Sequence, residues 1–407
     1  MKNILYLSYD GLTDPLGQSQ ILPYIIELSK LGFSFSIISF EKKEAAYSES
    51  EISEQIAPYK IDWYPISYTK QPPVLATVWD VFRLSKKVQS LLRKKEITLI
   101  HCRSYITSLV GLQMKKKENI PFIFDMRGFW ADERVDGGIW DLKNPLFNLV
   151  YRYFKSKEKQ FCKFSDAIIS LTYAGKKEMK KWKIEGISEK IAIIPCAVDV
   201  DLFKPTIELK REAEKIKSKL FPQNSKVLLY SGSLGTWYML KEMLDFFISL
   251  QSIDSSWYFL FLTRDSETLK KERNRLPSNI KEKVIDLEVK RNEIPKFLMV
   301  ADFSIFFIVP KYSKISSFPT KHAEFLAMGI PTIANEGVGD VKAIVEKGKN
   351  GIIIDKFDKE TFRRKALEIK NFKSESKNLG DFANREFSLQ KSTNIYNSIY
   401  LNILEKK

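Results

Sequence analysis

Short apolar runs alternate with amphipathic helical stretches along the first half of the chain. The strand candidates are Ile4–Ser8, Phe33–Phe40, Leu99–Cys102, Pro121–Asp125, Ala167–Leu171 and Ile191–Ile194. The helix candidates between them are Ser19–Leu31, Val78–Lys95, Ile106–Lys117, Leu146–Lys163 and Ala174–Lys183. Short apolar strands separated by helices predict a parallel sheet that is covered on both faces. The ligands of such a doubly wound domain lie beyond the carboxyl ends of the strands.

The same alternation restarts in the second half, with strand-like runs in VLLYSGSLG, WYFLFLT, ADFSIFFIV and PTIAN and around Val284–Leu287. The last segment, Ser388–Lys407, predicts one helix, because isoleucines recur every four residues on one face. A chain of 407 residues is long enough to form two domains. We predict an α/β protein with two doubly wound Rossmann-like domains, residues 1–197 and 198–385, followed by a C-terminal helix in residues 386–407.

Composition narrows the class of protein. Hydrophobic residues make up 44% of the chain and aromatic residues 13%, which excludes a disordered protein. Three widely spaced cysteines and two histidines give no metal-binding spacing and fit a reducing compartment. The start, MKNILYLSYDG, is interpreted as a buried first strand rather than a signal peptide. No apolar run approaches the length of a membrane span, about 18 residues. We therefore expect a cytoplasmic protein.

The net charge of +16 has one visible concentration. Between Asp141 and Glu185 there are 11 Lys and Arg against 5 Asp and Glu, interleaved with aromatic residues. Basic helices of this kind bind anionic lipid headgroups, so an anionic membrane surface is a further expected partner, on the inner face of the membrane. The alternative is a solvated helix face. No nucleic-acid-binding motif accompanies the charge, and we expect no nucleic acid partner.

One segment, SSFPTKHAEFLAMGIPTIAN from Ser316 to Asn335, has the pattern of a ligand-binding site. A loop leads into a helical turn that holds Thr320, Lys321 and Glu324. Free N–H groups and a partial positive charge at a helix N-terminus suit a diphosphate. A glutamate one turn further in would accept hydrogen bonds from two ribose hydroxyls. The alternative is an ordinary loop–helix–strand unit with a solvated glutamate.

AEFLAMGIPTIAN resembles the donor-site signature of retaining glycosyltransferases of family four, and SFPTKHAEFLAMG resembles a sub-branch with the pattern SPTK-x-x-E-Y-x-A-x-G. The family usually has two glutamates; Glu324 matches the second, which binds the ribose, and Ser316 stands at the place of the first. The resemblance implies the GT-B fold, with two domains facing a central cleft and a C-terminal helix that crosses back to the first. It also implies a nucleotide-diphospho-sugar co-substrate, no cofactor and no metal.

Two glycine turns complete the predicted donor site. Gly17 precedes a helix in YDGLTDPLGQSQ, where backbone amides would face phosphate; plain turn chemistry is the alternative. Gly232 and Ser233 follow the first strand of the second domain. Family members often have Arg and Lys where this chain has Ser233 and Tyr238, so another cation must serve the diphosphate, which is costly to bury uncompensated.

Lys321 is the first candidate for that cation, and we assign it a catalytic role. Arg264, after WYFLFLT, is the second candidate, with a surface turn residue as the equally weighted alternative. Lys290 and its neighbours Val289 and Arg291 lie in the loop that contacts the nucleobase in the family.

The acceptor side is predicted from FDMRGFWADERVDGGIW, which resembles a segment of branches that form amino-sugar linkages. Asp125 and Arg127 are placed with Lys321 among the catalytic candidates. The remaining acceptor-side residues are Arg103, Tyr105, Asp132 and Glu133. The alternative for the segment is a buried Arg–Asp pair that holds the loop.

These patterns predict a retaining, metal-independent glycosyltransferase of hexosyl or N-acetylhexosaminyl type. Its acceptor would be a glycan or lipid-linked hydroxyl in cell-surface polysaccharide, lipopolysaccharide or glycolipid biosynthesis. Two alternatives stay open. The first is a nucleotide-sugar 2-epimerase on the same fold, and the second is a basic, non-catalytic protein that binds membranes or nucleic acid.

Overall fold

The computed structural model describes residues 2–373 and 376–405. The chain divides into two compact units. The first unit consists of Met1–Pro195 together with Leu389–Lys407, and the second unit is Cys196–Ser388.

The first unit is built on a seven-stranded sheet. Its strands are Asn3–Ser8 (β1), Ser34–Glu41 (β2), Ile61–Ser67 (β3), Leu99–Arg103 (β4), Phe122–Asp125 (β5), Ala167–Ser170 (β6) and Ile191–Ile193 (β7). The strands lie in the order β3-β2-β1-β4-β5-β6-β7, and each pairs with its neighbours in parallel. On the central strand β1, Ile4 lies between Phe35 of β2 and Leu99 of β4. All three side chains are completely buried, so this apolar stack forms the core of the unit.

Helices connect these strands. They are Pro15–Gln20 (α1), Leu22–Lys30 (α2), Glu49–Ile56 (α3), Pro73–Lys94 (α4), Ser104–Glu118 (α5), Trp130–Asp136 (α6), Pro145–Phe164 (α7), Tyr173–Lys180 (α8) and Ile187–Lys190 (α9). Strand β3 and helices α3, α6 and α9 were not predicted. Strand β3 lies at the sheet edge, contains Pro65 and is only partly buried, so it lacks the apolar run of an inner strand.

The second unit repeats the design with six strands. They are Lys226–Ser231 (β8), Trp257–Leu262 (β9), Val284–Leu287 (β10), Phe303–Phe306 (β11), Thr332–Asn335 (β12) and Gly351–Ile354 (β13). Their order is β10-β9-β8-β11-β12-β13, again parallel throughout.

The helices of the second unit cover both faces of this sheet. They are Ile207–Leu220 (α10), Leu240–Ile253 (α11), Ser266–Arg273 (α12), Ser278–Lys281 (α13), Ile294–Leu298 (α14), Thr320–Ala327 (α15), Val341–Gly348 (α16), Lys359–Asn371 (α17) and Ser376–Phe387 (α18). Two 3-10 turns, Arg291–Glu293 and Tyr312–Ser316, precede α14 and α15.

The final helix, Leu389–Glu405 (α19), packs on α2 of the first unit. Tyr400 is completely buried, its hydroxyl lies 2.6 Å from His101 Nδ1, and its ring lies 5.2 Å from that of Phe33. The helix is therefore part of the core of the first unit.

The predicted pair of doubly wound domains is confirmed. In each sheet the direction of winding reverses once, between β1 and β4 in the first unit and between β8 and β11 in the second. Such reversal points open a crevice at the carboxyl ends of the strands, where ligands of doubly wound sheets bind. The loops after β8 and β11 therefore position the candidate site of the second unit.

Candidate functional site

Lys321 is the second residue of α15, the helix that follows β11 in the chain. Its ammonium group is held between two aromatic rings from β8 and the loop after it. Lys321 Nζ lies 4.2 Å from the ring centroid of Tyr230 and 3.7 Å from that of Tyr238. It also donates to the Tyr230 hydroxyl at 3.1 Å. Cation–π contacts of this kind are strongest where water is excluded.

The surroundings of Lys321 disfavour its charge. Burial lowers the pKa of Lys321 to about 7, against a smaller opposing effect of the Glu324 carboxylate. Burial also raises the pKa of Tyr238 to about 12, and the pKa of Tyr230 is raised further for the same reason. The lysine is thus the group in this cluster that changes charge near neutral pH, and an anion arriving beside it would restore its charge.

Gly232 brings the loop after β8 against this lysine. Its φ of +125° lies in the region that favours glycine, and an added Cβ would lie 2.9 Å from Lys321 Nζ. The next residue, Ser233, has an exposed side chain, while its carbonyl accepts a hydrogen bond from the Tyr230 hydroxyl. The structure therefore brings the predicted residues Gly232, Ser233 and Lys321 together.

The aromatic rings of Tyr230 and Tyr238 both contact the ammonium group of Lys321. Tyr238 stands where the resemblance predicts a lysine, and its ring lies over the ammonium group of Lys321. Tyr230 was not predicted from the sequence. The available signal is its place in KVLLYS, where it is the one aromatic residue and lies near the carboxyl end of the strand.

Glu324 lies one turn into α15 and is buried, with 8% of its surface exposed. Its carboxylate forms an ion pair with Arg291, at 2.9 Å between Oε1 and Nη2, and Arg291 lies over the Phe203 ring. Glu324 is therefore an oriented carboxylate rather than a solvated one. Lys290, the predicted nucleobase-loop residue, is exposed, and its neighbour Arg291 makes the contact to the site.

Arg264 lies on the surface, in the loop after β9. It pairs with Glu288 at 3.2 Å, and both side chains are more than half exposed. Exposed ion pairs of this kind contribute little to stability. Thr320 is partly buried as the first residue of α15.

A second polar cluster lies at the carboxyl end of β5 in the first unit. Asp125 is almost completely buried, and its Oδ2 accepts from Tyr396 at 3.3 Å and lies 3.4 Å from His101 Nε2. Arg127 Nη1 lies 3.9 Å from Asp125 Oδ1. Burial by itself would raise the pKa of Asp125, but Arg127 and His101 outweigh it and hold the pKa below its usual value.

Arg127 adopts a φ of +55°, which is uncommon for a residue with a side chain. Strained backbone of this kind persists where surrounding contacts fix it, often at functional sites. The structure thus pairs the buried Asp125 with the partly buried Arg127. The pair lies at the carboxyl ends of the strands, where ligands of doubly wound sheets bind.

Arg103 and Gly17 stabilise the loop after β1. Arg103 is buried, forms an ion pair with Asp10 at 3.2 Å and lies 3.5 Å from the Gln20 carbonyl. An added Cβ on Gly17 would lie 2.1 Å from the Gly11 carbonyl oxygen. Gly17 is therefore required by close packing against its own loop.

Tyr105 and Asp132 belong to an internal network among α5, α6 and α7. Tyr105 is completely buried and donates to Glu158. Lys155 bridges Asp132 at 2.9 Å and Glu158 at 2.5 Å. These polar groups satisfy one another and hold three helices together, so their position does not mark them as ligand contacts. Glu133, the next residue in α6, is partly buried.

Within residues 2–373 and 376–405, no group of three or more His, Cys, Asp or Glu side chains is placed to hold a metal ion. In the same part of the chain, no helix is both long and apolar enough to cross a membrane.

Two doubly wound domains and a C-terminal helix that returns to the first are the features of the GT-B architecture. Residues 24–202 match the family model described as Glycosyltransferase Family 4, and residues 211–386 match Glycosyl transferases group 1. Between them the two models cover most of the chain, which belongs to the GT-B glycosyltransferases. A search of curated protein sequences finds no match.

Solved structures share the fold at low sequence identity. A glycosyltransferase from Rickettsia africae ESF-5 superposes with a TM-score of 0.73 at 16% identity, covering 100% of this chain and 99% of that one. Sucrose-phosphate synthase from Thermosynechococcus elongatus gives 0.72 at 14% identity, with 100% of both chains covered. Anabaena Alr3699/HepE, solved in complex with UDP and glucose, gives 0.67 at 15% identity, with 98% and 99% covered. The predicted GT-B fold is confirmed.

Proposed function

We propose that this protein is a retaining, metal-independent glycosyltransferase. It transfers a hexosyl or N-acetylhexosaminyl group from a nucleotide-diphospho-sugar to an acceptor hydroxyl. The observation that carries the proposal is Lys321, held by Tyr230 and Tyr238 beside the Gly232 turn at the reversal point of the second sheet. A single lysine with backbone N–H groups around it is suited to a departing diphosphate.

The reaction breaks the bond between the anomeric carbon and the diphosphate oxygen and forms a bond to the acceptor oxygen on the same face. The proton of the acceptor hydroxyl passes to the leaving phosphate. Lys321, charged in the complex, stabilises the negative charge that develops on that phosphate. Because Lys321 and helix α15 supply the positive charge, the scheme requires no metal. Glu324, oriented by Arg291, accepts hydrogen bonds from the ribose hydroxyls.

The acceptor is proposed to be a glycan or a lipid-linked precursor of cell-surface polysaccharide, lipopolysaccharide or glycolipid. We assign its recognition to the buried Asp125 and the partly buried Arg127, which form an ion pair at the carboxyl ends of the strands of the first sheet. The complex of the Anabaena protein with UDP and glucose supports the donor class. The enzyme would work in the cytoplasm, at the inner face of the membrane.

Two measurements test this proposal. Thermal-shift screening with UDP-, GDP-, dTDP- and CMP-sugars would identify the donor, since a ligand of the native state raises the melting temperature by mass action. NMR of the product would then give its anomeric configuration. Retention of the donor configuration in a new glycosidic bond is expected. Inversion, or release of an epimerised sugar without acceptor, would contradict the proposal, and the second result would indicate an epimerase.

A further inference from the structure

Helix α4 carries an apolar stripe that faces solvent. Leu75, Val78, Trp79 and Phe82 recur at the spacing of one helix face, and they are 68%, 62%, 53% and 46% exposed. The rings of Trp79 and Phe82 stack, with centroids 5.5 Å apart. A contiguous apolar stripe of this kind on a soluble domain marks an interaction surface.

This stripe is separate from the core contacts of α4. The opposite face of the helix buries its own apolar residues, namely Ala76, Leu84, Val88 and Leu91. Helix α4 is therefore fully packed against the first unit without the stripe. Burial of the stripe has to come from a partner outside this unit's core.

The surroundings of the stripe are basic. The part of the chain that carries the stripe, from Tyr68 to Lys87, contains four cations, Lys70, Arg83, Lys86 and Lys87, and one acidic residue, Asp80. Asp80 is completely buried and bonded to Arg83 and Thr69, so it offers no charge to a partner. Lys86 lies 4.5 Å over the Phe82 ring, at the end of the stripe, and is exposed. A partner is therefore apolar at the stripe and anionic around it.

The fold places this stripe toward the ligand-binding edge of the first sheet. Helix α4 follows β3, so its first turns, which hold the stripe, lie toward the carboxyl ends of the strands. Helix α5 packs between α4 and α7. Helix α7 ends just before β6, so its first turns lie toward the same edge, and there Leu146 and Leu149 are more than half exposed. Asp125 also ends a strand at this edge.

We propose that the α4 stripe docks this enzyme on an anionic lipid bilayer. Leu75, Val78, Trp79 and Phe82 enter the headgroup region, while Lys86 and its basic neighbours contact anionic headgroups. The bilayer then lies beside the edge where the acceptor is proposed to bind, so a lipid-linked acceptor would be drawn from the membrane surface. The acceptor assignment in this inference depends on the proposed function; the membrane contact does not.

A second copy of the chain is a poorer occupant for this surface. Each copy carries a net charge of +16, and the stripe is itself surrounded by cations, so two stripes would repel each other at low ionic strength. An anionic bilayer matches both properties of the surface, the apolar centre and the basic rim.

Vesicle flotation tests the inference. Wild-type protein is mixed at low salt with vesicles of phosphatidylcholine alone or with about 30% phosphatidylglycerol, enough for the surface potential to attract basic segments. We expect flotation with the anionic vesicles and at least tenfold weaker partitioning of a Val78→Ser/Trp79→Ser variant. Ile207→Ser is the matched control, because Ile207 is 73% exposed in the second unit. Circular dichroism checks that each variant is folded.

Three results would overturn the inference. The first is absence of wild-type flotation, and the second is equal flotation of the stripe variant. The third is a wild-type dimer in sedimentation that becomes monomeric in the stripe variant, which would assign the surface to a second copy. Donor turnover with a water-soluble acceptor is measured in parallel. Because the stripe lies outside the donor site, this turnover should stay unchanged in the stripe variant, and failure of the proposed function is thereby distinguished from failure of the docking surface.

Discussion

The pH dependence of donor binding is the sharpest consequence of the site around Lys321. In the free protein burial lowers the pKa of this lysine to about 7. One unit of negative charge about 4 Å away is worth roughly 4 kcal/mol at an effective dielectric of about 20, which corresponds to about three pKa units. A bound diphosphate would therefore return the pKa of Lys321 to about 10 or above, by the same estimate.

The sign of the effect follows from linkage. The diphosphate binds the protonated lysine. The dissociation constant of the donor is therefore constant below the free-state pKa of Lys321. Between the free-state and bound-state pKa values it rises by about tenfold per pH unit. From pH 7.5 to pH 9 the protonated fraction of the free protein falls from about one quarter to about one hundredth. The dissociation constant should therefore rise about 25-fold over that interval.

Isothermal titration calorimetry with the nucleotide-sugar found by thermal shift measures this directly. The diphosphate of a nucleotide-sugar does not titrate in this range, and the raised pKa values of Tyr230 and Tyr238 keep both phenols neutral. Lys321→Arg should bind with little pH dependence, because arginine stays charged. A flat wild-type profile, or the same 25-fold loss (about two kcal/mol) in Lys321→Gln, would refute the reasoning.

Three further predictions concern neighbours of the site. Tyr238→Leu should weaken donor binding by about 1–2 kcal/mol in calorimetry, since a cation–π contact is lost. Tyr238→Phe keeps the ring and should bind the donor normally, and an equal loss of affinity in both variants would contradict the role of the ring. Glu324→Gln should weaken nucleoside diphosphate binding by about 1.5–3 kcal/mol, while Glu293→Gln, at an exposed ion pair with Lys296, should not; unchanged affinity in Glu324→Gln would count against ribose binding. Gly17→Ala should lower the free energy of unfolding in urea by about 1–3 kcal/mol, because its Cβ overlaps backbone, while Gly235→Ala has open space; equal stabilities would refute the packing argument.

The strands were predictable where both faces are buried. Ile4–Ser8 and Pro121–Asp125 match β1 and β5 to within one residue, because an inner parallel strand is a continuous apolar run. The edge strand β3 was not predictable, because it is partly exposed to solvent and contains Pro65, and so it lacks a continuous apolar run.

The candidate site was predictable only within single segments. Lys321 and Glu324 could be found because helix N-terminus, lysine and glutamate are adjacent in sequence. The Tyr230–Lys321 contact joins residues 91 positions apart, and it depends on the strand order, which no local pattern encodes. The same holds for Tyr105, whose partner Glu158 comes from another helix and draws the side chain inward.

Enzymatic release of nucleoside diphosphate tests the central claim most directly. Wild-type protein, given the identified donor and a glycan or lipid-linked acceptor, should release the nucleoside diphosphate and form a glycoside. Loss of the leaving-group cation in Lys321→Gln should lower kcat/KM by about a hundredfold or more, in the range found for single electrostatic groups. Lys226→Gln removes an exposed, ion-paired lysine at the amino end of β8, away from the carboxyl end that carries Tyr230. This variant should leave kcat/KM unchanged. Release that is equally fast in Lys321→Gln, or absent with every sugar donor in the wild type, would contradict the account.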